Sequence, residues 1–247
     1  MTKFLLSSNN MKFPVFTGNL NEIPSDSKKV ISTINQYSYC IAEKDVDFSE
    51  ALKHSDILLP DGISIVLATR WLTDIKVKKI AGADLHQFLL GYYDEKGGSC
   101  FYLGSSQVTL DRIRTRVTIE YPHLRINSYS PPYKSRFSDD DNDKIVNAIN
   151  KFRPDVLFIG MTAPKQEKWA YSFKDALDVK EICSIGAVFD FYAGTVARPD
   201  KFWIKIGLEW LLRLIKEPKR LWKRYIFYGP VFVYLIFKEK FVQVIYH

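Results

Sequence analysis

The chain has 247 residues, 47% of them hydrophobic and 26% charged, a balance that excludes a disordered chain at a length that suffices for a sizeable core. Three cysteines, Cys40, Cys100 and Cys183, are odd in number, widely spaced and set in apolar strings, which argues against a disulfide frame and for buried thiols in a reducing compartment. The net charge of +7 is unevenly placed: residues 198–247 hold eleven Lys/Arg against four Asp/Glu, so the whole excess lies in the last fifth of the chain, beyond a neutral body.

Residues 1–27 are polar and irregular, with "FPVF" as an edge-strand candidate. The opening "MTKFLLSSNNMKFPVF" has too short an apolar run for a signal peptide, so a cytoplasmic protein is expected. "KVISTIN" then reads as a strand, "QYSYCIAEK" as a helix, "DILLP" as a strand and "GISIVLATRWL" as a helix. "ADLHQFLLGYYDEKGG" is helical and stops at a glycine pair. Next come "CFYLG" (strand), "SQVTLDRIRTRVTIEY" (helix), "RINSYS" (strand), "SDDDNDKIVNAINKF" (helix), "DVLFIG" (strand), "APKQEKWAYSFKDAL" (helix) and "EICSIG" (strand). Strands alternating with helices of ten or more residues predict βαβ units and a mostly parallel, Rossmann-like α/β sheet flanked by helices. Past residue 198 the pattern changes to two basic, aromatic-rich helices meeting at Glu217–Pro218, because proline suits a first helical turn. The twelve uncharged residues "IFYGPVFVYLIF" fall short of the ~20 needed to span a bilayer and contain Gly229 and Pro230, so this tail is expected to lie in a membrane interface or to pack on the body. The expected division is an irregular segment over 1–27, an α/β catalytic domain over 28–197 and a membrane-associating helical appendage over 198–247.

Five features carry candidate chemistry. "DILLPDGISIV" ends a strand on Asp61. This acid either caps the next helix or stands at the carboxyl end of a parallel strand, where α/β proteins bind ligands. Gly104, Gly160 and Gly186 each close a strand ahead of a helix, a junction that brings backbone N–H groups to a phosphate or is simply a tight turn. Neither GxGxxG nor GxxxxGK[ST] occurs, which argues against a dinucleotide fingerprint or a P-loop. "APKQEKW" places Lys165, Gln166 and Glu167 in a first helical turn, where an acid favours the dipole but a lysine is unfavourable unless it serves an anion. "SDDDND" resembles an Asp-x-Asp metal element, yet reads better as a capped helix start, and no second acidic cluster or histidine spacing converges with it, so no metal site is expected. Arg213, Lys216, Arg220, Lys223 and Arg224 recur at three- and four-residue intervals among Trp203, Trp210, Trp222, Tyr225, Phe227 and Tyr228. Basic and aromatic residues together mark interfacial helices and also nucleic-acid surfaces; the apolar "VFVYLIF" that follows favours the membrane, and the neutral body lacks the basic face that nucleic acid would need.

"STIN", "DILLPDGISIV", "KKIAGADL", "FYLGS", "YSPPY", "FIGMTAPKQEKW", "SIGAVFDFYAGTVARPDKFW" and "GLEWLLRLIKEPKRLWKRY" occur here in the order in which the WecG/TagA/CpsF family of bacterial glycosyltransferases carries them. The chain resembles that family over roughly residues 28 to 228. The resemblance implies a Rossmann-like body whose site is completed by a C-terminal appendage at the membrane. It also implies an inverting, metal-independent transfer of N-acetylmannosamine, or a relative such as its uronate, from a UDP donor to a polyprenyl-diphosphate-linked saccharide, with no cofactor. Asp61 matches the family's catalytic base, Thr33, Asn35 and Gln166 match polar residues of the pocket, and Arg213, Arg220, Lys223 and Arg224 match basic residues of the tail, for a diphosphate or the membrane. Lys79, Gly104, Ser105, Gly160, Lys165, Glu167, Gly186 and Asp190 are expected in the same donor or acceptor pocket. Lys79 stands where many relatives carry arginine, and Lys223 does likewise, which alters the geometry of any phosphate contact there. The expected partners are the UDP-sugar, the lipid-linked acceptor and the anionic inner face of the cell membrane, with self-association compatible and nucleic acid disfavoured. The alternatives are a basic-aromatic nucleic-acid-binding protein, or a nucleotide-binding domain without transferase activity.

Overall fold

The computed structural model describes residues 11–24, 27–196, 203 and 209–245, without the side chains of Glu209, Arg213 and Arg220. Six strands form one parallel sheet: β1 (Lys29–Ile34), β2 (Ile57–Pro60), β3 (Ser99–Gly104), β4 (Arg125–Tyr129), β5 (Val156–Gly160) and β6 (Glu181–Ser184), in the order β2-β1-β6-β5-β3-β4. The six strands read from the alternating pattern are all present, whereas "FPVF", the edge-strand candidate, makes only a single bridge to β2 at Phe16. β3 and β6 are buried along their whole length, as expected for strands covered on both faces.

The connecting helices are α1 (Gln36–Ala42), α2 (Val46–Lys53), α3 (Ile63–Thr73), α4 (Gly82–Glu95), α5 (Gln107–Glu120), α6 (Asp139–Phe152), α7 (Lys165–Phe173) and α8 (Val188–Tyr192). Helices α4, α5 and α8 cover one face of the sheet through Leu85, Leu89, Ile113, Val117 and Phe189; α6 and α7 cover the other through Ile145, Ile149 and Trp169. The short helix α2 escaped the sequence reading; Asp45 caps it by accepting from the Phe48 N–H at 3.1 Å, and Phe48 and Leu52 are its buried side.

The termini are held by a third cluster. Phe13, Val15 and Ile34 pack with α1, α2 and α3, and the N-terminal segment is tied to the sheet where the Phe16 N–H donates to the Leu58 carbonyl at 2.8 Å. In the tail, α9 (Glu209–Lys216) ends ahead of Pro218, which opens α10 (Pro218–Trp222) at its first turn, so the break falls at the expected place. A π-helical turn at Lys223–Phe227 then leads into α11 (Tyr228–Ile245). Gly229 and Pro230 lie in the first turn of α11, where an imino acid removes no intrahelical bond. The inner face of α11, Tyr228, Phe232 and Ile236, joins Phe13 and Tyr39 in the core; Phe232 meets the Tyr39 ring edge-on at 5.3 Å. Tyr39 also donates to Glu239, whose other oxygen accepts from the Lys12 N–H at 2.7 Å. Among the described residues no helix is long and apolar enough to cross a membrane.

Candidate active site

The carboxyl edge of the sheet collects the candidate residues. At the end of β2, the Asp61 N–H donates to the Ile34 carbonyl at 2.9 Å, which fixes the acid beside the end of β1. The N-cap of α3 is Gly62, one residue further on, with φ 125° and no side-chain cap. A side chain at that φ is strained, so the glycine permits the sharp exit from β2 that leaves Asp61 ahead of the helix instead of at its cap position. Asn35, at the end of β1, does cap its helix: its Oδ1 accepts from the N–H groups of Tyr37 and Ser38, both at 3.1 Å, leaving the Nδ2 amide as its remaining donor group. The loop after α3 returns to the same edge, where the Ile80 N–H donates to the Pro60 carbonyl at 3.1 Å and so sets Lys79 next to β2.

Asn35, Asp61, Gly62, Ser64 and Lys79 form one wall of a cleft of about 210 Å³. The other wall belongs to the tail: Trp210, Arg224, Tyr225 and Gly229. Arg224 is held by its own chain and by α1, since its guanidinium carbon lies 5.3 Å from the centre of the Tyr37 ring and its carbonyl accepts from Gln36 Nε2 at 3.5 Å. Trp210 and Tyr225 bring their rings to 5.7 Å across the bend between α9 and the π-helical turn. One carboxylate, two cations and two aromatic rings thus converge, and the cleft exists only because the tail folds back over α1 and α3. Gln36, Gly62, Ile63 and Ser64 were missed by the sequence reading because each is unremarkable until the tail is placed opposite it, and Gly229 stood out only as a residue of the tail's apolar run.

The glycine-ended strands lie further along the same edge. Gly104 and Gly160 are register partners on β3 and β5, at the point where connections leave the sheet in opposite directions, a common ligand crevice in α/β proteins. A Cβ on Gly104, whose φ is 114°, would come within 2.7 Å of the Gly160 carbonyl oxygen. Ser105 follows with φ 60°, and its carbonyl accepts from Ser130 Oγ at 2.8 Å. At Gly160 a Cβ would strike the Phe189 ring at 2.4 Å, so this glycine answers to packing as much as to any ligand. Thr33, Gly104, Ser105, Gly160, Lys165, Gln166, Glu167, Gly186, Asp190 and Lys223 are not among the residues lining the Asp61 cleft. The side chains of Arg213 and Arg220 lie outside the described residues.

Lys165 has partners of its own: its Nζ donates to the Lys134 carbonyl and lies 3.5 Å from the centre of the Phe137 ring, an arrangement that relieves its position at a helix start. Asp190 sits in α8, and its carbonyl accepts from the N–H groups of Thr195 and Val196 in the turn that ends it. The acidic run at 139–141 is accounted for by its helix: Ser138 and Asp141 form a reciprocal capping box, and Lys134 pairs with Asp141 at 2.8 Å.

Gln166 and Glu167 are both buried, and a Cβ added at Gly186, where φ is 57°, would lie 3.5 Å from the Gln166 amide. Gln166 Nε2 donates to Glu167 Oε1 at 2.8 Å, while Gln166 Oε1 and Glu167 Oε2 have no hydrogen-bond partner among the described residues. Burial pushes the Glu167 carboxyl up to about 7. Between the ordinary glutamate pKa and that value the folded chain keeps a proton that the unfolded chain releases, so stability falls as pH rises from about 4.5 to 7, by about 3 kcal/mol. Glu167→Gln is therefore expected to melt above the wild type at pH 8, with the difference closing towards pH 4.5; parallel melting profiles would contradict this.

Residues 6–244 match the model of the "Glycosyl transferase WecG/TagA/CpsF family". The chain belongs to that family. A relative from Bacillus subtilis (strain 168), named N-acetylglucosaminyldiphosphoundecaprenol N-acetyl-beta-D-mannosaminyltransferase, is 31% identical over 211 residues, covering 85% of this chain and 80% of its own length. Proteins with the same name from Bacillus spizizenii and Staphylococcus aureus (strain MW2) are 29% and 24% identical, over 72% and 78% of this chain and 66% and 73% of theirs. The family match reaches into α11, past Tyr228, where the motifs recognised in the sequence stop. The helix that holds the tail on the body is thus inside the family's common region.

Proposed function

We propose that this protein is an inverting, metal-independent glycosyltransferase that moves N-acetylmannosamine, or a relative such as its uronate, from a UDP-sugar to a polyprenyl-diphosphate-linked saccharide. It would do so in cell-surface polysaccharide or teichoic acid linkage synthesis, as a peripheral protein on the inner face of the cell membrane. The observation that carries the reading is the cleft in which Asp61 and Lys79, on one wall, stand across from Arg224 of the tail. An inverting transfer needs one base, and Asp61 takes the proton from the acceptor hydroxyl as its oxygen attacks the anomeric carbon. The bond from that carbon to the UDP oxygen breaks, and UDP leaves with the electron pair. Its growing negative charge is met by the cations of the cleft and by backbone N–H groups at the sheet edge. Strands lie about 4.8 Å apart, so the glycine ends of β5 and β3 stand about 14–19 Å from β2; an extended nucleotide-sugar along the edge would join the two groups of residues. Lys79, a point charge where many relatives place the bidentate fork of arginine, would contact one phosphate oxygen at a time.

The family membership and the names of the relatives support the donor and acceptor classes. Against a nucleic-acid-binding role stands the packing of α11, which buries one face on the body and presents mainly apolar side chains, Val233, Tyr234, Phe237 and Phe241, on the other, with Lys238 beside them. The test is a panel of UDP-sugars assayed for UDP release with a short-chain polyprenyl-diphosphate GlcNAc acceptor, with chelator present. Acceptor-dependent release from UDP-N-acetylmannosamine or its uronate is expected; release that ignores the acceptor, or none from any donor, would refute the proposal.

A further inference from the structure

Isolated exposed apolar residues such as Val46 and Ile119 are ordinary. The exposed face of α3 is different: Ile63, Leu67 and Trp71 recur every four residues and Ile75 follows, all of them exposed, with Leu67 58% accessible. They form one stripe about 12 Å long from Ile63 to Trp71. The stripe begins in the cleft, which Ile63 lines, and ends where the Trp71 ring meets Phe237 of α11 at 4.6 Å. There it continues onto the outer face of α11, where Tyr234, Phe237 and Phe241 are exposed opposite the inner face buried on α1.

We propose that this joint α3–α11 face is the surface by which the protein lies on an anionic bilayer, with α3 of the catalytic body, and not the tail alone, entering the lipid interface. The inference rests on the reading that the acceptor is lipid-linked, and it specifies how that acceptor is met. Three observations favour a bilayer over another occupant. The face is continuous across a body helix and a tail helix, so it is not a loose end of either. Its ends carry Arg70, Lys76 and Lys78 beside α3 and Lys238 and Lys240 on α11, with Asp74 the acid that interrupts the α3 group, a rim suited to anionic headgroups. Trp71 and Tyr234 supply the amphipathic rings that settle at headgroup depth. With α3 on the membrane, its first turn places Asp61 at the lipid surface, where a diphosphate-linked sugar projects.

The test uses the full-length protein, co-sedimented with vesicles of phosphatidylglycerol and phosphatidylethanolamine. Wild type is expected to bind, and the double variant Leu67→Glu, Trp71→Glu to lose at least about tenfold in bound fraction. Ile119→Glu, on α5, should bind as wild type. UDP release with a water-soluble short-chain acceptor should be unchanged in both variants, because none of Leu67, Trp71 and Ile119 lines the cleft. If the double variant melts early, Leu67→Glu alone gives the reading. Wild-type protein that ignores the vesicles, or variants that sediment as wild type, would overturn the proposal. So would a dimer in light scattering that Leu67→Glu dissociates with vesicle binding intact, since the face would then join two copies. Loss of transfer with every acceptor would refute the proposed function, while vesicle binding would still decide the docking face.

Discussion

Asp61→Asn is expected to lower kcat for sugar transfer by about 10²- to 10⁴-fold while leaving the Kd for the UDP-sugar within about twofold. The range is that of a lost general base. The substitution keeps size and shape, and Asp61 is placed by its main chain, through the N–H that donates to Ile34, so the cleft should keep its form. The amide cannot accept the acceptor's proton as a carboxylate does. In the proposed reading donor binding rests on Lys79, Arg224 and the strand edge, which the change leaves in place. A parallel fall in donor affinity would make Asp61 a binding residue, and near-normal turnover would remove it from the chemistry.

Truncation after Val196 is expected to abolish detectable turnover and to destabilise what remains. The cut deletes Trp210, Arg224 and Tyr225, a whole wall of the cleft; loss of positioning alone costs about 10²-fold or more. It also removes Tyr228, Phe232 and Ile236 from the cluster around Phe13 and Tyr39. At about 1.5–3 kcal/mol for each of these three buried side chains, about 4.5–9 kcal/mol is lost as an upper figure. That approaches the entire stability of a typical domain, so the fragment should melt at least about 10 °C lower. A fragment that melts like the full chain would show that the tail is only docked, and full activity would show that it does not complete the site.

The six strands were legible because short apolar runs bounded by glycine and helical patterns have few other readings, and the tail break was legible from Pro218. The sheet order was not. Periodicity reports local conformation, whereas the pairing of β3 with β5 and of β1 with β6 is non-local. Helix α2 was hidden by its brevity and its charges. Asp61 was conspicuous as an acid closing an apolar run, but Gly62, not Asp61, proved to be the cap of α3, a distinction that depends on a φ angle and not on residue type. The double role of α11 was illegible for a different reason: it is apolar on two faces, so no hydrophobic stripe indicates which face meets α1 and which is left exposed. The contacts of Lys165 were not legible because its carbonyl and aromatic partners lie about thirty residues away in sequence.

The central claim is that the acceptor sugar sits between Asp61 and the tail. The most direct measurement is photo-labelling of the full-length protein with a diphosphate-lipid-linked GlcNAc that carries a diazirine on the sugar, followed by peptide mapping. The account predicts label in the peptides that contain Asp61–Ser64 or Trp210–Tyr225, lost when unlabelled acceptor competes. Competed label confined to the β4 edge of the sheet, around α5 and α6, would contradict it.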